Sequence, residues 1–424
     1  MAFHWYFDEE ARLLDERPWE LRAEEIPRYP LGALLERGAR TVLALALGLA
    51  VALLLQRLQP TEMAQARAEM ADLLREEAQA WLEGDWQEIQ ALLDPNAHPD
   101  WIRWHLRSLE ARRNWARGDA RQPVLQVVAA RSMGLQRVRA TVLYSQLEVP
   151  QDYPMQEGVV FRRVEGRWRR SAPGSAGWGP LHLKRAGPLY WEYRAEDMAG
   201  VAQLAPAIPA AYAEMRRALG LPPEDPAAPL TVRIVVDPAL VRPPVFVGRQ
   251  LTLLSPHLAR RRATDSPAQA LSRPLMLGLA ERATEEALPE QGLHPGWGVL
   301  YRGIQRWLAR HFNPLLPPDD APDWAPLRRE LAERGLPNLA QLREPRYGGY
   351  FWRSRWADLA AEALVRHALE RYGFERLPHL LDGMAESQDW ETLSLRAFGV
   401  SAPALEAGWQ TMLEELGQST VQGR

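Results

Sequence analysis

Residues 159–173 read VVFRRVEGRWRRSAP. Two runs, 159–164 (VVFRRV), rich in β-branched and aromatic side chains, and 167–171 (RWRRS), meet at Glu165-Gly166. Such side chains suit a pleated surface, and a residue pair ending in Gly supplies the tight turn that joins antiparallel strands. The stretch therefore predicts a β-hairpin. Upstream, Val124, Val127-Val128 and residues 138–147 carry the same two-residue period, so the hairpin closes an antiparallel meander.

Working outward from the hairpin, the period changes on both sides. Toward the amino end, Met63, Met70, Leu73, Leu74, Trp81 and Leu82 recur at helical spacing until Gly84-Asp85. A second helix is expected through Trp86, Ile89, Leu92 and Leu93 to Asp94-Pro95, and a third from Pro99 with Trp101, Trp104, His105 and Leu109. His98 and His105 are seven apart and could share a helical face; the expectation for both is cap and surface. Toward the carboxyl end, residues 187–195 read as a strand and 197–219 as one helix stopped by Gly220 and Pro222-Pro223. Residues 230–236 (LTVRIVV) are a near-continuous apolar strand, 245–254 give further strand, and the chain beyond Pro267 is helical. The fold class expected is α+β.

Residues 41–55 read TVLALALGLAVALLL, uncharged and bracketed by Arg40 and Arg57. A spanning helix needs roughly 17–25 residues, so 41–58 is expected to be an N-terminal transmembrane helix after a tail over 1–40. Arg28, Arg37 and Arg40 on the amino side against Arg57 and Arg67 lean toward a cytoplasmic tail. The expectation is thus a single-pass cell-membrane protein with the bilayer as one partner and its bulk extracytoplasmic.

Composition excludes several functions. The net charge of −3 removes electrostatic support for nucleic-acid binding. No Cys is present, which excludes thiol catalysis, disulfides and Cys-ligated metal. No G-x-x-x-x-G-K-[ST] loop exists, no G-x-G-x-x-G follows a strand, and Pro173-Gly174-Ser175-Ala176-Gly177 misses the nucleophile elbow by its first Gly. Glu285-Glu286 and Asp319-Asp320 read as solvated acidic pairs.

Three helices followed by a meander that ends in residues 159–173 and Gly177-Trp178-Gly179 resemble the NTF2-like fold, expected over 61–182. Residues 183–416 resemble the peptidase MA-like (gluzincin) proteins often found in bacterial extracytoplasmic proteins. The likeness rests on Arg273–Glu281, on His294-Pro295-Gly296-Trp297 through Trp307, and on a C-terminal bundle with 369–381, 397–401 and 405–409. The resemblance implies a small sheet subdomain, a helical bundle and a short tail over 417–424.

It also implies where zinc chemistry would sit. Such enzymes place two His at i and i+4 on one helix, a Glu beside the first as general base, and a third ligand on the next helix. At those positions this chain has Leu277, Gly278, Glu281 and Arg302. Leu offers no lone pair, Gly removes the base and Arg brings like charge. The expectation is no catalytic residue, no metal and no cofactor: a pseudopeptidase with a binding or assembly role toward peptide or cell-envelope protein. Its candidate cleft would be lined by Trp297, Trp307, Tyr350 and Trp352. The alternative is an active hydrolase or metallopeptidase with a site rebuilt near Glu281 and His294, with Glu285 or Glu286.

Overall fold

The structure is a computed structural model that describes residues 63–115, 124–134, 136–145, 154–241, 246–316, 324–343 and 355–418. Contacts along the chain divide it at Ala64/Gln65 into a small unit and a large one. The helix over residues 63–83 (α1) opens the described chain. Asp85 then caps α2 (Trp86–Leu92) by accepting from the main-chain N–H groups of Gln87 and Glu88. Next comes α3 (Pro99–Trp115).

The meander is β1 (Val124–Ser132), β2 (Arg137–Ser145), β3 (Met155–Val164) and β4 (Arg167–Arg170). Its hairpin turns at Glu165 (φ 51) and Gly166 (φ 81), the two positive-φ residues a tight turn demands. A bulge between Val127 and Ala129 explains the adjacent valines of β1: Val127 packs on the core while Val128 is thrown out to solvent.

A second sheet runs β5 (Leu181–Ala186), β6 (Leu189–Arg194), β7 (Leu230–Val235), β9 (Gln250–Leu254) and β8 (Phe246–Val247) across its width. β6, β7 and β9 are parallel. Parallel neighbours need a crossover, and α4 (Met198–Leu204) and α5 (Ile208–Ala218) supply it between β6 and β7. The single helix expected over 197–219 is therefore two, because Pro206 and Pro209 have no N–H to continue the ladder. β5 was not expected. It is an edge strand whose Leu181 and Leu183 are exposed, so it carries no buried-strand signal.

Helices complete the molecule: α6 (Pro267–Ala287), α7 (Gly298–His311), α8 (Ala325–Arg334), α9 (Arg355–Tyr372), α10 (Leu377–Glu386), α11 (Trp390–Phe398) and α12 (Ala402–Gln418). α6 opens with a capping box in which Ser266 and Gln269 exchange side-chain and main-chain hydrogen bonds. The second sheet and these helices enclose the largest core, with Leu275, Leu279, Ile304, Leu308 and Leu364 inside.

The meander is stitched to the second sheet and its loops. β10 (Arg261–Arg262) pairs with the start of β3, through Arg261–Gln156 and Arg262–Met155. Gly158 on β3 lies so close beneath the main chain of His257 that a Cβ there would sit 1.8 Å from the His257 carbonyl oxygen. Glu196 receives Arg131 and Arg139 from the meander, at 2.7 and 3.3 Å.

The membrane reading is corrected. Among the described residues no helix is long and apolar enough to cross a membrane. α6 shows why: its 21 residues include Arg273, Glu281, Arg282, Glu285 and Glu286, charges that hydrocarbon does not accommodate. Residues 41–58, where the span was expected, lie outside the described residues. The α+β class stands, without the transmembrane helix or the single-pass cell-membrane placement.

Candidate functional site

The four positions that would carry zinc chemistry lie on α6 and α7. Leu277 faces a cleft between the second sheet and the helices. Gly278 turns to the sheet, where a Cβ would come within 2.9 Å of Leu251 Cδ1 and 3.4 Å of the Phe246 ring. Glu281 is half-buried, and burial together with the neighbouring Glu285 charge pushes its carboxyl above the ordinary range. Arg302 is half-buried on α7, with its Nε 3.0 Å from Asp358 Oδ1 on α9.

Arg302 begins a ladder of charge. Arg302, Arg306 and Arg310 recur every four residues on α7 and face Asp358 and Glu362 on α9. Arg306 Nε lies 3.2 Å from Glu362 Oε2, and Arg310 Nε 2.7 Å from Glu362 Oε1. Glu362 is buried at 1% exposure, so the two guanidiniums bracket a desolvated carboxylate. The two helices meet closely because Gly303 intervenes: a Cβ there would lie 2.8 Å from the main-chain carbon of Ala361. Arg302 thus belongs to a helix-helix interface.

The residues of the alternative site do not converge. Glu286 accepts both terminal nitrogens of the buried Arg216, each at 2.7 Å. It is exposed, as expected from sequence, and also engaged in this ion pair. Arg216 in turn borders Asp225, which Tyr212 and Arg282 also hold, each at 2.7 Å. Burial alone would raise Asp225, but the hydrogen bonds from Arg282, Tyr212 and the Ala227 N–H outweigh it and hold its carboxyl at about 2. His294 Nδ1 lies 3.0 Å from its neighbour's carbonyl, Pro295 O. Among the described residues, no three His, Asp or Glu side chains come together as a metal site.

The expected aromatic lining is core instead. Trp297 is fully buried, donates from Nε1 to Ser387 O at 2.9 Å and meets Trp390 edge-on. Trp307 is 5% exposed and stacks on His311 and Phe374. Tyr350 and Trp352 lie outside the described residues, as do Asp319 and Asp320.

The cleft that Leu277 lines has a volume of 540 Å³, within the size range of small-molecule sites. Its walls come from β9, β10, α6, α7 and α9. Apolar surface is given by Met155, Leu253, Leu277, Leu316 and Leu359. Six arginines (Arg260, Arg261, Arg262, Arg273, Arg306 and Arg310) line it with two carboxylates, Asp265 and Glu362. Sequence reasoning singled out Leu277 but not these arginines. The signal was present as Arg260-Arg261-Arg262 and as the four-residue spacing on α7, yet only the sheet-helix packing brings the two together.

A second polar cluster lies under the meander. His98, as expected, sits at the start of α3, where its Nδ1 accepts the Asp100 N–H at 3.2 Å. His105 does not lie on the surface. It is 3% exposed, stacked on Trp101, with Nε2 2.7 Å from Glu77 Oε1 on α1. Arg170 on β4 donates to Glu77 at 2.7 Å and approaches Glu157 at 3.5 Å, which also accepts from Tyr144 at 2.6 Å. Burial would raise Glu77, but the Arg170 charge and the His105 hydrogen bond hold it at about 2.

Comparison of this chain with protein-family models, curated proteins and solved structures gives no match.

Proposed function

We propose that the chain is a non-catalytic binding protein, a pseudopeptidase whose cleft between sheet and helices takes a ligand that it does not cut. The resemblance of residues 183–416 to peptidase MA-like proteins is part of this proposal. The observation that carries it is the fate of the motif positions. One side chain is aliphatic and lines the cleft, one is absent because of sheet packing, and one guanidinium pairs across a helix interface. The remaining carboxylate, Glu281, lies beside another acid. Catalytic zinc takes three protein ligands and an open position. One carboxylate does not meet that requirement, and a water with neither metal nor base beside it is a poor nucleophile at neutral pH.

The test is peptide hydrolysis by the purified full chain with added zinc, and again with chelator. The reading predicts no difference between the two, in either case at the rate of the uncatalysed control. Turnover that chelator abolishes would replace it with a metallopeptidase whose ligands lie elsewhere.

A further inference from the structure

We infer that the outer edge of β5 is a pairing edge for a second copy of this chain, the two strands lying antiparallel about a twofold axis at His182. The inference is independent of the cleft and its ligand. β5 ends the second sheet, with β6 as its one neighbour among the described residues. Pro180 O accepts the Ala195 N–H at 3.0 Å, so the main chain of residue 180 faces β6. In an antiparallel pair, successive residues turn their N–H and C=O groups alternately toward and away from the neighbour. Residues 182, 184 and 186 therefore bond to β6, and Leu181, Leu183 and Arg185 turn theirs outward. Among the described residues those outward groups meet no main-chain partner. A row of free donors and acceptors along a sheet edge is a template for another strand.

The side chains choose the occupant. Edge strands are ordinarily guarded by charge, and Lys184 and Arg185 guard the carboxyl half of β5. Its amino half is bare: Leu183 is 77% exposed and Leu181 50%, on the sheet face they share with Glu192 and Arg194. Set a second β5 antiparallel with Leu181 opposite Leu183 of the other copy, and the leucines of both strands form one patch. Lys184 and Arg185 then fall opposite Pro180 and Gly179 of the other copy, which carry no charge, and the cations of the two copies lie at opposite ends of the seam. A slide of two residues one way sets Leu181 against Arg185 and His182 against Lys184. The same slide the other way sets Leu183 against Gly179. A slide of one residue flips every side chain to the wrong face. One register thus serves main chain, leucines and charges together, and the strand is its own complement. A stable protein interface buries at least about 1,200 Å²; a single strand pair lies at the low end of that scale, so the association is reversible.

The experiment is analytical ultracentrifugation of the full chain over a range of about 1 to 300 µM, where a weak pairing would show. We expect a reversible equilibrium between one chain and two. L183R sets a cation against Leu181 of the other copy and should weaken the dimer about tenfold or more. V247R, on β8 at the far edge of the same sheet and 75% exposed in the natural chain, should leave it unchanged. The chain has no Cys, so introduced thiols report the register. An equal mixture of L181C and L183C should form disulfide-linked dimer about fivefold faster than either variant alone, because directly opposed Cα atoms about 5.5 Å apart suit a disulfide. Melting curves identify any variant that fails to fold, and cross-linking decides alone if L183R does. A single chain at every concentration, a dimer indifferent to L183R or lost in V247R, or equal cross-linking in mixture and single variants would overturn the assignment. So would slow hydrogen exchange at residues 181, 183 and 185 in a monomer, since another segment would then cover the edge.

Discussion

The meander half and the helical half both bury carboxylates beside cations, in different settings. Under the meander, Glu77 and Glu157 are met by Arg170 and His105, with Tyr144 completing the set, and all but the half-buried Arg170 are buried. In the helical half, Glu362 is held between Arg306 and Arg310 on the wall of an open cleft. A closed network can only hold structure together, whereas a charge ladder on a cleft wall can also meet a ligand. Buried charge alone is therefore a poor guide to function; its access to solvent decides as well.

The contrast is broken most readily by stability. Glu77→Leu strands Arg170 and His105 in the interior, and removing one partner of a buried ion pair costs about 3–5 kcal/mol. Arg306→Gln removes one hydrogen bond to the buried Glu362 but leaves it with Arg310, and should cost about 1.5–3 kcal/mol. Urea unfolding of both variants checks this, and equal losses would make the ladder as structural as the network.

Next in size is a dependence on pH with two signs. Glu77 is depressed from 4.5 to about 2, so its contribution is complete above pH 4.5 and lost as pH falls toward 2. Asp197 is fully buried with Ser255 Oγ at 2.7 Å, and burial raises it from 3.8 to about 6 against that hydrogen bond and Arg139. Its folded form holds the proton longer than its unfolded form. It therefore subtracts stability as pH rises from about 4 to 6. Asp197→Asn should remove a loss of about 2–3 kcal/mol across that window, read as a flatter profile of unfolding free energy against pH.

Smaller again are two glycines of the motif region. Gly303→Ala drives a methyl into the α9 main chain, which has little room to yield. A net loss of about 1–3 kcal/mol is expected after the gain in helix propensity. Gly278→Ala meets the tip of Leu251 and the edge of the Phe246 ring, side chains that can yield, and the two effects should cancel to within about 1 kcal/mol. Reversal of that order would mean that α6, not α7, is the tightly docked helix.

Much of this was legible in the sequence for reasons that are local. The hairpin at Glu165-Gly166, the helices around Leu73 and Ile89 and the helical chain beyond Pro267 follow from turn chemistry and period. The edge strand β5 and the break between α4 and α5 were harder: the first has exposed leucines, and the second depends on two prolines within an otherwise helical pattern. The residue types at 277, 278, 281 and 302 were legible, but their partners were not, because Arg302 with Asp358 and Arg306 with Glu362 join residues 56 apart in sequence. His105 was misread for the same reason, since its partner Glu77 is 28 residues away.

The most direct test is calorimetric titration of the metal-free full chain with zinc, beside a variant carrying L277H, G278E, E281H and R302E together. The account predicts no stoichiometric site in the natural chain. One zinc per natural chain, held tightly enough to survive dialysis, would contradict it outright.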